Sequence, residues 1–338
     1  MNLLLITQAV DDQDPVLGFF PAWIAEFSNY YAEVSVICLR KGVYNLPDNV
    51  RVYSLGKERG VGRFAYIATF FKLIFSKRRE YDTVFVHMNP IYLVLGGWVW
   101  RLLGKSIALW YTHKHVDWKL RIGTMFAHRV FSASKESFRL LTPKLRITGH
   151  GIDTGQFSPG TDRIPSVQKR LMTTGRVSAT KHIHTMIQLV AHLPKDSVQL
   201  TIIGVPVTAA DRLYQHKLEQ EVQERGIAAS VEWLGAKTQP QIAALLRGAD
   251  LYLNFSATGS MDKGVLEAMS SGIAVLSTNE AFAESADVYL DRSRPIEELV
   301  SAVQGALDGH LVGRRREWVM QQHSLQALIP RLVQLMQD

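Results

Sequence analysis

The sequence predicts an α/β protein built from two Rossmann-like, doubly wound units facing a central cleft. Three observations carry this. Short apolar runs alternate with helical patterns along almost the whole chain, as they do where parallel strands are covered by helices on both faces. The alternation lapses once, at Gly149–Pro165 (GHGIDTGQFSPGTDRIP), a stretch rich in Gly, Pro, Asp and Thr that reads as a linker, and then restarts. The chain is also 338 residues long, more than one hydrophobic core usually organises. The expected division is 1–155 for the first unit and 166–315 for the second, with 316–338 forming C-terminal helices that pack back on the first.

In the first unit, Leu3–Thr7, Glu33–Leu39, Val50–Tyr53, Asp82–His87 and Ser106–Tyr111 are short apolar runs of strand length. Leu17–Phe27, Phe64–Phe75 and Tyr92–Leu103 read as helices between them, the last closed by Gly104. Arg129–Ser132 and Leu145–Thr148 are two further strands, with a small helix expected between them. In the second unit the strands are Leu171–Thr174, Val198–Ile203, Ser230–Leu234, Leu251–Phe255 and Ile273–Ser277. Helices are expected at Ile183–Leu193, Asp211–Arg225 and Gln239–Arg247, between the last two strands, and near Ile296–Leu307 and Glu317–Gln337. Open sheets of this kind bind ligands at the carboxyl ends of their strands. The loops after Thr7, His87, Tyr111, Thr174, Ile203 and Phe255 are therefore where chemistry is expected.

Composition excludes several classes. With 47% hydrophobic residues the chain is globular and not disordered. Its single cysteine, Cys38, permits no internal disulfide and fits a reducing compartment, so a cytoplasmic setting is expected. The start, MNLLLITQ, lacks a basic lead and reads as a first strand, not as a signal peptide. The longest apolar run, Ile91–Trp100, is too short to cross a bilayer. A net charge of +7 suits acidic partners such as phosphates or anionic headgroups. Nucleic acid is not expected, because no nucleic-acid module is recognisable and the cations concentrate only at Arg59–Arg79 and Arg314–Arg316. No Walker loop, G-x-G-x-x-G or G-x-S-x-G occurs, which argues against P-loop NTPases, dinucleotide dehydrogenases and serine hydrolases.

The most informative stretch is Ser256–Thr278 (SATGSMDKGVLEAMSSGIAVLST), which reads as loop, helix and strand. Val265, Leu266 and Met269 share one face of the helix, and Ser271-Gly272 closes it. A glycine-containing loop at a helix start presents N–H groups and a positive dipole end to an anion such as a diphosphate. Glu267 either reaches a ligand docked there or complements the dipole. Thr174-Gly175-Arg176 follows a strand and Lys181 lies five residues further on; the pair either neutralises a diphosphate or consists of solvated surface cations. His87 and His113 both end strands, and each is either functional or structural. Asp11, Asp12 and Asp14 follow strand one, but D-D-Q-D lacks a defined metal geometry, and no metal site is expected. The aromatic helix Phe64–Phe75, ringed by cations, either lies on an anionic membrane surface or is an ordinary buried helix.

Four of these pieces occur in one order: T-G-R-V-S-x-x-K (Thr174–Lys181), G-H-G-I-D followed by Phe157, A-D-L-Y-L-N-F-S (Ala249–Ser256), and L-E-A-M-S-S-G-I-A-V-L-S-T (Leu266–Thr278). Together they resemble the retaining glycosyltransferases of the GT-B fold, family 4. The resemblance implies that Arg176 and Lys181 bind the donor diphosphate and that Glu267 binds the donor ribose. It implies that His113 contacts the donor sugar near the reacting carbon. Gly175, Ser260, Asp262 and Lys263 fall on the donor side, and Asp11, Asp12, Gly18 and His87 on the acceptor side. The second unit would bind the nucleotide sugar and the first the acceptor. One position departs: the family carries two glutamates with seven residues between them, and where the first would stand this chain has Gly259. Asp262 either supplies the missing carboxylate or only caps the helix.

The expected reaction moves a sugar, with retention, from a nucleotide diphosphate sugar to a hydroxyl acceptor, carbohydrate or lipid-linked. Arg176, Lys181 and a helix start near Ser260 would stabilise the leaving phosphate, so neither a metal nor another cofactor is expected. The basic aromatic helix points to a membrane-proximal acceptor, through 59–79, on the inner face of the membrane. A sugar-nucleotide epimerase and a non-catalytic sugar-nucleotide or glycan-binding protein remain as alternatives.

Overall fold

A computed structural model of the protein describes residues 1–160, 168–285, 287–310 and 315–337. Its contacts group the chain into two compact units, Met1–Asp153 with Gln322–Asp338, and Thr154–Gln321. The two divisions thus fall at Asp153/Thr154 and Gln321/Gln322, and not at 155 and 316.

The first unit is a seven-stranded parallel sheet formed by β1 (Leu3–Val10), β2 (Val34–Lys41), β3 (Val50–Ser54), β4 (Thr83–His87), β5 (Ser106–Trp110), β6 (Arg129–Ser132) and β7 (Leu145–Ile147). Its order is β3-β2-β1-β4-β5-β6-β7. The central strands are apolar on both sides of the pleat because both faces are covered. Leu4 and Ile6 belong to the core beneath α2 (Arg63–Ser76) and α3 (Ile91–Leu102). Leu3 and Leu5, buried on the opposite side, face the layer of α1 (Phe20–Ser28). Right-handed crossovers put α2, α3 and α4 (Trp118–Phe126) on one face of this sheet and α1 on the other.

The second unit is a five-stranded parallel sheet ordered β10-β9-β8-β11-β12. Its strands are β8 (Lys169–Thr174), β9 (Val198–Ile203), β10 (Val231–Gly235), β11 (Leu251–Asn254) and β12 (Ala274–Ser277). Its helices are α5 (Ile183–His192), α6 (Ala209–Glu224), α7 (Gln239–Arg247), α8 (Lys263–Ser270), α9 (Ile296–Gly305) and α10 (Arg316–Gln322). The last helix, α11 (Leu325–Gln337), belongs to the first unit and packs on α1 and β5.

Several expectations need correcting. The strand expected to stop at Thr7 continues to Val10, because Ala9 and Val10 pair with Arg40 and Lys41. The small helix expected between β6 and β7 is a set of turns, in which Ser134 Oγ accepts from the Ser137 N–H. The helix α4 was not expected. Only Leu120, Gly123 and Thr124 of it are buried, too few to print a period, and Asp117 caps it by accepting from the Leu120 N–H. The expected linker is in part folded: Phe157 is fully buried, and its carbonyl accepts from Ser270 Oγ and from Arg316. The basic run at 314–316 is likewise engaged, Arg316 with that carbonyl and Arg315 with Asp287; Arg314 lies outside the described residues. Residues 316–337 form two helices because the backbone of His323 breaks away to pair with Ile152.

His87, assigned to the acceptor side, is a core residue of the first unit. Its ring stacks on Phe20 with centroids 3.9 Å apart, Nδ1 lies 3.3 Å from Thr7 Oγ1, and only 2% of the residue is exposed. No face is left for a ligand, and burial pushes its pKa down to about 3. The folded state therefore binds this proton less tightly than the unfolded chain does. The stability is complete above the ordinary histidine pKa and is lost as pH falls below it. At pH 5 the loss should be about 2 kcal/mol from this group. The melting temperature should fall between pH 7 and 5, and the fall should be shallower in His87→Gln.

Candidate functional site

The chain turns sharply at the end of β8. Gly175 has φ +125°, a backbone that side chains resist, and the next strand's Gly204 crowds against its carbonyl. Lys181 packs beside this turn, its Nζ 3.6 Å from where a Cβ would stand, an ordinary contact, so the positive φ and not crowding by Lys181 calls for glycine. Lys181 Nζ donates to both oxygens of Asp262, at 2.8 and 3.0 Å. Asp262 also accepts from Asn254 Nδ2 at 3.0 Å and Asn279 Nδ2 at 3.4 Å. Burial alone would raise the Asp262 carboxyl's pKa, but the Lys181 ammonium and these hydrogen bonds outweigh it and hold the group below the usual carboxylate range.

Asp262 does not act as a side-chain cap. Its side chain makes no capping hydrogen bond to α8, and its carboxylate is spent on Lys181 and two amides. Gly259 sits at φ +68°, which a glutamate would adopt only with strain. The loop is thus shaped for glycine. Helix α8 also starts later than expected, at Lys263 and not near Ser260. Asn279 Nδ2 holds the Ser260 carbonyl at 2.8 Å, keeping that residue in the loop.

Glu267 is 4% exposed on α8. Lys263 Nζ stands 2.7 Å from its Oε1, but as an ion pair without hydrogen-bond alignment, so Oε1 is a buried acceptor with no hydrogen bond. Such an oxygen is uncommon and is suited to a donor from outside the protein. Lys263 Nζ also donates to Gln239 Oε1 at 3.0 Å. Helix α8 approaches β8 closely through Gly264, where a Cβ would meet Tyr252 Oη at 2.3 Å and Thr174 Oγ1 at 2.6 Å. Those two hydroxyls hydrogen-bond to each other at 2.7 Å.

Arg176 is not a free cation. Its Nε donates to Asp211 Oδ2 at 2.7 Å. Asp211 closes the capping box of α6 with Thr208, and the Thr208 backbone N–H, followed by its hydroxyl and Arg176, lowers the carboxyl's pKa to about 2. The guanidinium remains half exposed and oriented. Lys181, Asp262, Lys263 and Glu267 thus gather around the ends of β8 and β11 and the start of α8, with Arg176 on the β8 turn. Sequence reasoning missed three supports. Asn254 and Asn279 hold the loop, and Arg292 donates to the carbonyl of Ser256 at 2.9 Å and to that of Thr278 at 3.3 Å. Only Asn254 left a trace, as a polar residue ending an apolar run.

In the first unit, His113 follows β5 and is exposed. Its Nδ1 accepts from the His115 N–H at 3.0 Å, so the neutral ring carries its proton on Nε2. Burial, then His115 and Lys114, lower its pKa. The acidic loop after β1 is mostly self-satisfied. Asp14 accepts from the N–H groups of Val16 and Leu17 and pairs with Arg40. Asp11 accepts from Gln13 and Val43 N–H groups. Asp12, half-buried, has its pKa raised by burial, against a lowering contact with the Asn45 backbone. Gly18 lets this loop close, since a Cβ there would meet the Asp14 carbonyl at 2.6 Å. Among the described residues no three His, Cys, Asp or Glu side chains gather as a metal-ligand set.

Residues 158–286, which contain the Lys181, Asp262 and Glu267 cluster, match the family model described as "Glycosyl transferases group 1", so this stretch carries a domain of that group. The chain is 25% identical over 143 residues to the putative colanic acid biosynthesis glycosyltransferase WcaL of Escherichia coli, covering 40% of this chain and about a third (34%) of that protein. Among solved structures it is similar to Anabaena HepE in complex with UDP and glucose, with 16% identity, full coverage of both chains and a TM-score of 0.77. It is also similar to the sucrose-phosphate synthase of Thermosynechococcus elongatus, with 16% identity, 100% and 98% coverage and a TM-score of 0.75. The fold is the GT-B fold of these structures.

The Gly264 contact can be tested by crowding it. Gly264→Ala should destabilise the protein by about 1–3 kcal/mol through overpacking. The Gly264→Ala, Tyr252→Phe double variant should recover part of that loss in a thermal melt, because the nearest clashing oxygen is gone.

Proposed function

We propose that this protein is a retaining glycosyltransferase that moves a sugar from a nucleotide diphosphate sugar to a hydroxyl of a carbohydrate or lipid-linked acceptor, with no metal or other cofactor. The observation that carries this reading is the buried Glu267 carboxylate, whose Oε1 is ion-paired with Lys263 at 2.7 Å but has no aligned hydrogen bond, on the helix that follows the Lys181–Asp262 pair. A ribose hydroxyl would satisfy it, and the donor diphosphate would lie toward Lys181 and Arg176. Charge develops on the leaving phosphate as the glycosidic bond breaks. Cations already fixed in place stabilise that charge without reorganising. Asp262 and Asp211 do the fixing. The departing phosphate oxygen takes the acceptor proton on the face it leaves, which gives retention and demands no protein base. His113, neutral at pH 7 and able to donate from Nε2, is assigned to a hydroxyl of the donor sugar. That HepE is described with UDP and glucose supports a nucleotide-sugar donor.

The acceptor is read as membrane-bound. Helices α2, α3 and α4 share one face of the first sheet, and each exposes large apolar side chains: Phe64 (90% exposed) and Phe75, then Trp98 and Leu102, then Trp118 and Met125. Arg63, Lys72, Arg101 and Arg121 are exposed among them. A layer with both characters suits an anionic bilayer. Among the described residues no helix is long and apolar enough to cross one.

Two outcomes are expected. Incubated with UDP-glucose, UDP-galactose or GDP-mannose, the protein should slowly hydrolyse its donor, and proton NMR should show the retained anomer before mutarotation. Lys181→Ala and Arg176→Ala should each lower that rate by about 100–1,000-fold; release of the inverted anomer would contradict the mechanism. The protein should also co-sediment with phosphatidylserine vesicles at low salt and lose this in Trp118→Glu, Met125→Glu; no sedimentation at low salt would end the membrane reading.

A further inference from the structure

We propose that a pocket between α2 and α3 of the first unit takes the alkyl chain of a lipid phosphate, the acceptor's anchor, while Lys57 and Arg63 at its rim take the phosphate. The inference rests on the reading that the acceptor binds to the first unit, and it names that acceptor's class. The pocket measures about 570 Å³, within the range of about 300–1,000 Å³ typical of small-molecule sites. Its walls are mostly apolar, through Leu39, Leu55, Val61, Ile67, Phe70 and Leu95, and Gln8 and Asn89 also line it. Phe70 and Tyr92, both buried, also line it, with rings 5.5 Å apart, and the Tyr92 hydroxyl is hydrogen-bonded to Gln8.

The charge is one-sided. The charged side chains lining the pocket are Lys57 and Arg63; no carboxylate lines it among the described residues. The nearby Glu58 is turned to Ser54 Oγ at 2.7 Å. An apolar cleft with a cationic rim matches a molecule with an apolar chain and an anionic head. Its continuation indicates where the head goes. A smaller pocket of about 240 Å³ shares Gln8, Leu39 and Lys57 with the larger one and extends to Asp14 and Leu17 in the loop after β1. A phosphate at Lys57 would therefore send the chain one way, beneath α2, and the head group the other way, to the loop where the sequence places the acceptor. The turn carrying Lys57 is held by Gly56 at φ +97° and Gly60 at φ +72°, so the cation sits on a tightly folded corner.

The experiment is calorimetric titration of the full chain with butyl, hexyl and octyl phosphate, with inorganic phosphate and 1-octanol beside them. Affinity should rise about tenfold for every two methylenes, as burial of the chain requires. Inorganic phosphate should not bind measurably. Ile67→Glu, which puts a charge in the chain's path at an exposed position, should weaken octyl phosphate at least tenfold. Lys57→Glu should weaken octyl phosphate by as much and leave 1-octanol unchanged. Thermal melts of both variants should match wild type. Affinity independent of chain length, variants that bind as wild type, or no binding of the monomeric probes would each overturn the proposal. UDP titrated in parallel reads the second unit separately, so failure of the donor reading would appear as lost nucleotide binding with alkyl phosphate binding intact.

Discussion

The ion pair between Lys181 and Asp262 is the constraint on which the second unit's chemistry depends. A largely buried carboxylate would ordinarily be costly and would tend to protonate. Here one ammonium and two amides surround it, and they hold it ionised. The consequences run outward. Asp262 is drawn off the helix end, so α8 begins at Lys263, and Asn279 holds Ser260 in the loop. Lys181 is fixed beside Gly175, whose φ of +125° turns the chain there and is a backbone that side chains resist. Arg176 obeys the same logic through Asp211, a carboxylate that also starts α6. Neither cation is free to wander in solvent, and each keeps N–H donors beyond those given to its carboxylate, Lys181 one and Arg176 those of a half-exposed guanidinium. That is the condition in which a charge can serve a reaction: positioned in advance and still able to take a second partner.

Much of this architecture was legible in the chain. Strands buried on both faces leave uninterrupted apolar runs, and helices between them leave a period, so β9 and α7 fall where the spacing puts them. Weak periodicity explains what was lost. Helix α4 buries too little to reveal itself, and the turn at Ser134 satisfies its own backbone in a way that no propensity records. The linker hides its order in part because composition rich in Gly, Pro and Thr says nothing about one buried phenylalanine, Phe157, anchored by Arg316 159 positions further along the chain.

The site was legible in its residue types and less so in their roles. Lys181, Arg176 and Glu267 stand at strand and helix ends, where a reader of motifs looks. What the sequence could not disclose is who holds them. Asn254, Asn279 and Arg292 act through three-dimensional neighbours, and Arg292 lies in an irregular segment with no pattern at all. His87 shows the converse. A histidine at a strand end looks functional, yet Phe20 and Thr7, distant in sequence, enclose it. Gly259 is intermediate: its identity is visible, but only φ +68° explains why the loop favours glycine there.

The claim at the centre is that Glu267 and the held Lys181 form a nucleotide-diphosphate site. The measurement that tests it most directly is a thermal-shift titration of wild type, Lys181→Met and Glu267→Ala with UDP, GDP and ADP. A ligand that binds only the folded state raises the melting temperature by mass action. The account predicts a shift with one nucleotide in wild type that is lost or sharply reduced in both variants. A nucleotide shift that survives in both variants, or no shift with any nucleotide, would contradict it.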